Sequence, residues 1–120
     1  MLANKVYKKE VMKNGIKVYE ISTPILILDE TKRRYLKRFV KEVKMAEKAI
    51  NSNGRFHLST RIHIEINHCS NLDIRGVLEI KVTKSNLQVT ISRANDDGEI
   101  EYVKLKFPIK IIDSVSAEVF

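Results

Sequence analysis

One stretch of this 120-residue chain carries a helical hydrophobic period, and most of the remainder carries a period of two. Leu36, Phe39, Val40, Val43, Ala46 and Ile50 recur at three- and four-residue steps, which gathers them into one stripe along a helix. From Arg55 the pattern changes. Phe56, Leu58, Ile62, Ile64 and Ile66 alternate with His57, Ser59, Arg61, His63, Glu65 and Asn67, the signature of a half-buried strand. A lone amphipathic helix among alternating strands restricts the chain to an α+β fold in which the helix covers the apolar face of a sheet.

The remaining elements follow from turn chemistry. Val6–Met12 and Ile16–Ile21 flank Asn14-Gly15, a pair suited to the positive φ values of a type I′ turn, so an N-terminal β-hairpin is predicted. Thr23-Pro24 interrupts it, because proline cannot donate to a ladder. Ile25–Leu28 reads as a short buried strand or an apolar entry to the helix. The helix is expected from about Glu30 to Ile50, with Asp29 as N-cap and Asn53 or Gly54 as the stop. Leu72–Lys84 reads as one strand with Leu72, Ile74, Leu78, Ile80 and Val82 inward. Ser85-Asn86 and Asn95–Gly98 then turn the chain through Leu87–Ile91 into Ile100–Phe107. Four strands joined by short loops predict an antiparallel meander, since parallel crossovers need a dozen residues or more. Pro108 ends the last strand, and the tail Ile109–Phe120 is either an edge strand or a short helix after Asp113. The whole, residues 1–120, is expected to form a single domain.

Charge is distributed unevenly along this pattern. Residues 1–54 hold 13 Lys/Arg against 6 Asp/Glu, whereas residues 55–120 hold nine of each. Opposite the apolar stripe, Arg34, Lys37, Lys41, Lys44 and Lys48 form a straight cationic ridge, with Arg33 and Arg38 on its shoulders. At 1.5 Å per residue the ridge is about 21 Å long. Duplex DNA presents a phosphate about every 1.7 Å of axis, so a ridge of this length spans several. Lys37/Lys41 and Lys44/Lys48 repel at four-residue spacing, which costs a few tenths of a kcal/mol per pair. A purely solvating face would interleave glutamates there. Lys5, Lys8, Lys9, Lys13 and Lys17 extend the cationic surface if the hairpin lies alongside. Tyr7, Tyr19, Tyr35 and Tyr102 are candidates for base stacking, although each also suits a strand or core position.

Other chemistry is weakly represented. His57, His63, His68 and Cys69 fall within 13 residues, but the first two are roughly 20 Å apart along one strand, too far to share a metal. Ser59, Ser70, Ser85 and Ser92 lack a nucleophile-elbow glycine pattern. No catalytic residue, metal site or cofactor is therefore assigned. With a single cysteine, no internal disulfide forms, which fits a reducing, cytoplasmic setting. No apolar run reaches the ~20 residues of a membrane helix. The lack of Trp and the single glutamine suit a thermophilic source, while eight asparagines run against it.

Glu79-Ile80-Lys81, with Asp73 or Glu65 as a leading acid, resembles the core of the PD-(D/E)xK nucleases. That resemblance implies carboxylates holding a divalent metal and a lysine stabilising charge at the phosphate. It covers about a third of the chain, which has no Pro-Asp and no second helix. The expected function is instead non-enzymatic nucleic-acid binding, to DNA or RNA, through phosphate contacts with little sequence preference. The alternative is a protein–protein interaction module or homodimeric accessory subunit that uses an exposed sheet edge.

Overall fold

A computed structural model of the chain describes residues 6–51 and 59–120. It is α+β, with one long helix and eight strands in two antiparallel sheets. The hairpin β1 (Tyr7–Lys13) and β2 (Ile16–Ser22) turns at Asn14-Gly15, whose φ values of 51° and 77° are both in the left-handed region. The helix α1 runs from Asp29 to Asn51. Next come β3 (Thr60–Ile66), β4 (Ser70–Ile74), β5 (Val77–Val82), β6 (Asn86–Ala94) and β7 (Ile100–Pro108). A 3-10 turn at Ile109–Ile111 leads into β8 (Ile112–Val119).

The four-stranded meander is not formed. The expected strand Leu72–Lys84 is broken at Arg75-Gly76, and its two halves join different sheets. Gly76 takes φ +69° and packs so closely on β6 that a Cβ would stand 3.1 Å from the Ser92 carbonyl oxygen. A bulge follows between Val77 and Glu79. It buries Val77 and turns Leu78 outward, against the expected alternation. Only β5, β6 and β7 form a meander, the three-stranded sheet.

The second correction concerns the tail. It is neither an edge strand nor a helix: β8 is the central strand of the five-stranded sheet, ordered β1-β2-β8-β3-β4. Because β8 is antiparallel to both β2 and β3, these two run parallel to each other, with α1 as their crossover and β8 inserted between them. One cross-strand row, Ile21–Ala117–Ile62–Ile74, is buried under the helix. Val115 and Ile64 pair beside it.

The helix packs on both sheets through the predicted stripe, with Leu36, Phe39, Val43 and Ala46 fully buried. Val77, Ile80, Leu87 and Val89 of the smaller sheet belong to the same core cluster. Asp29 is the first helical residue rather than the cap. The Leu28 carbonyl accepts from the Thr31 and Lys32 backbone N–H groups and from the Thr31 hydroxyl. Ile25–Leu28 is not a strand: Leu26 is buried, while Ile25, Ile27 and Leu28 are exposed. The proposed stop at Asn53 or Gly54, together with Phe56, His57 and Leu58, lies outside the described residues.

Candidate nucleic-acid interface

Arginine and lysine are good helix formers, so the ridge positions add charge without weakening α1. Arg34, Lys37, Lys41, Lys44 and Lys48 are all exposed, as is Arg38, while Arg33 is half-buried. Arg33 Nε donates to the Thr83 carbonyl at 3.2 Å, which ties the helix to the β5–β6 turn. A shallow furrow runs along Lys37, Lys41, Lys44 and Lys48, floored by Val40 and Met45.

Cations are treated differently on the solvent face of the five-stranded sheet. There Arg61 donates to both oxygens of Asp73 at 2.9 and 2.8 Å, and Arg75 approaches the same carboxylate at 3.5 Å. Arg61 beside Asp73 pulls that carboxyl down to about 2. Lys13 there lies 2.9 Å from Glu118 and 3.2 Å from Glu20, and on the helix-facing side of the hairpin Lys17 lies 2.9 Å from Glu10. On the helix, by contrast, Arg34, Lys37, Lys41, Lys44 and Lys48 make no ion pair among the described residues. Of the acids adjacent to ridge residues, Glu42 lies 3.7 Å from Lys8, and the Glu47 carboxylate accepts from the Thr60 hydroxyl at 2.9 Å.

The hairpin does not extend the ridge. Lys8 lies over the Tyr19 ring, 5.1 Å from its centroid, and 3.7 Å from Glu42. At 100° per residue, Glu42 is roughly 80–160° around the helix from Arg34, Lys37, Lys41 and Lys44, so the hairpin flanks the helix to one side of the ridge. Its lysines are also paired, Lys9 excepted among those described; Lys5 is outside the described residues. Of the tyrosines, Tyr35 is core, Tyr19 is half-buried, and Tyr7 and Tyr102 are exposed on the outer strands β1 and β7. Sequence reasoning missed Lys84 and Lys110. Both are isolated along the chain, yet the fold places them beside Arg33 at the N-terminal end of the helix.

The nuclease-like constellation is not assembled. Glu65 is on β3 of the five-stranded sheet and accepts from the Ser114 hydroxyl at 3.3 Å, whereas Glu79 and Lys81 are on β5 of the other sheet. Asp73 is held by Arg61. Register also aligns Ser116, His63 and Asp73 in one row of the five-stranded sheet. However, His63 Nε2 is 3.8 Å from Asp73, beyond hydrogen-bond range, and Asp73 already accepts from Arg61 through both oxygens. His68 and Cys69 sit in the β3–β4 turn, where His68 Nδ1 lies 3.3 Å from the buried carboxylate of Asp113. Among the described residues, no three His, Cys, Asp or Glu side chains converge on a metal position.

Among the described residues, no helix is long and apolar enough to cross a membrane. No family model matches the chain, and comparisons with curated proteins and with solved structures return no match.

Proposed function

We propose that this chain is a non-enzymatic nucleic-acid-binding protein that contacts backbone phosphates through Arg34, Lys37, Lys41, Lys44 and Lys48, flanked by Arg33 and Arg38. The observation that carries this reading is the contrast in pairing. Arg61, Arg75, Lys13 and Lys17 of the five-stranded sheet sit against carboxylates at 2.8–3.5 Å, whereas the five ridge cations have no such partner among the described residues. An unpaired row of like charges is a cost to the free protein that a polyanion relieves on binding. Lysine predominance favours point-charge contact with phosphate over bidentate reading of bases.

Fluorescence anisotropy at low salt with single- and double-stranded DNA and RNA tests the proposal. Binding should fall steeply with salt and vary little with sequence. The triple variant Lys37→Ala/Lys41→Ala/Lys44→Ala should flatten the salt slope by about 0.7–0.9 per lysine. Absence of binding to every nucleic acid at low salt would overturn the reading. A second reading, association with another copy of this chain, is favoured by Ile25, Ile27 and Leu28, which are 72, 75 and 53% exposed just before the helix. Light scattering separates the two: a monomer at high concentration removes the second.

A further inference from the structure

The cationic surface continues past the N-terminal end of the ridge. The furrow along the helix shares Lys37 with a depression bordered by Glu30, Arg33, Arg34 and Arg38. That depression shares Arg33 with a pocket of about 510 Å³, whose walls include Asp29, Lys84, Pro108, Ile109 and Lys110. The volume lies within the roughly 300–1,000 Å³ typical of small-ligand sites and suits one nucleotide.

Three elements meet at this pocket, and each supplies one cation: Arg33 from α1, Lys84 from the β5–β6 turn and Lys110 from the 3-10 turn. Hydrogen bonds that involve neither the Lys84 nor the Lys110 ammonium fix their spacing. Arg33 Nε donates to the Thr83 carbonyl at 3.2 Å. The Ile109 N–H donates to the Ser85 carbonyl at 2.9 Å. The Lys32 ammonium, 4% exposed, donates to the Lys110 carbonyl at 2.8 Å. The junction is thus closed on all three sides. Those bonds hold the three backbone segments and the Arg33 side chain in place, while the Lys84 and Lys110 side chains are exposed.

Charge at the pocket favours an anion. Among the described residues Asp29 is the one carboxylate on its wall, and the Lys32 ammonium lies 3.9 Å from it. Among the described residues Arg33 gives only Nε, to Thr83, which leaves its two terminal nitrogens for a paired contact with phosphoryl oxygens.

We propose that this pocket binds a phosphoryl group of nucleic acid and carries the strand from the helix ridge round to the β5–β6 turn. It rests on the ridge reading and adds a second, differently built contact to it. The double variant Lys84→Ala/Lys110→Ala tests it, because both substitutions spare the three hydrogen bonds that close the junction. Wild type and variant are titrated by fluorescence anisotropy with short single-stranded oligonucleotides ending in 5′-phosphate, 3′-phosphate or hydroxyl, over about 50–200 mM salt. The variant should bind several-fold more weakly at low salt, and its log–log salt slope should be shallower by about 1.4, at about 0.7 per lost contact. A loss confined to phosphate-ended strands assigns the pocket to a terminal phosphate, and an equal loss for all three assigns it to an internal phosphodiester. Unchanged affinity and slope in the variant overturn the pocket and leave the ridge standing. Failure of the wild type to bind any of these strands overturns the pocket, and the ridge reading falls with it when duplex DNA and RNA also fail to bind.

Discussion

Glu47 and Asp73 show how far the surroundings of a single carboxylate reach. Burial raises the Glu47 carboxyl above its ordinary range, against the opposing pull of the Thr60 hydroxyl and the Lys44 charge. A raised folded-state pKa means stability that is present at low pH and lost as the pH rises through the folded value, so ionised Glu47 weakens the fold at neutral pH. Asp73 has the opposite sign: Arg61 lowers it to about 2, so its contribution is present above 3.8 and is lost as the pH falls through about 2. Replacement of Glu47 by glutamine keeps an oxygen for Thr60 and removes the buried charge. The variant should therefore melt higher than the parent at neutral pH, and the two should converge below 4.5, the ordinary value for the group. Equal Tm values at neutral pH would show that burial imposes no penalty there. Neither environment was legible from residue type. Glu47 read as an acid off the ridge and Asp73 as a candidate leading acid of a nuclease-like set until the helix met Thr60 and β3 met β4.

At the scale of the element, periodicity was read well where one face is apolar and the other charged. The α1 stripe and the Asn14-Gly15 hairpin formed as expected, because each is encoded by residues close together in sequence. The break inside Leu72–Lys84 was missed. Arg75-Gly76 barely disturbs the alternation, and the reason for glycine at 76 is the β6 carbonyl across the strand. Gly76→Ala should cost more than Gly15→Ala. Both place a side chain at positive φ, worth about 1–2 kcal/mol, but only position 76 also crowds a backbone atom, while nothing lies within 4 Å of a Cβ at Gly15. Denaturant titration measures the difference, and equal costs would mean that β6 yields freely. The ridge belongs to this scale as well, since its five cations follow from spacing within one helix. Lys84 and Lys110 do not, because no local pattern links them to Arg33.

For the whole molecule, the deciding element is the last one. Ile112–Val119 intersperses its apolar residues with Ser114, Ser116 and Glu118, poor strand formers, and so it reads as an edge or a helix. In the fold it hydrogen-bonds to strands on both sides, and its Ile112, Val115, Ala117 and Val119 are buried. A chain ending at Ile111 should lose cooperative unfolding altogether, as followed by circular dichroism in denaturant, because β2 and β3 would have no strand between them. A truncated chain that unfolds cooperatively near the parent midpoint would contradict the central position of β8. By itself, the sequence determined the α+β class, the hairpin, the helix with its buried stripe, and the row of cations along its outer face. Each of these depends on residues within a few turns or steps of one another. Tertiary structure decided the division into two sheets, the central place of the tail, the dispersal of Glu65, Glu79 and Lys81, and the gathering of Arg33, Lys84 and Lys110 around one pocket. Those outcomes depend on strand pairings and close approaches between distant segments, and local propensity carries no information about which segments will meet.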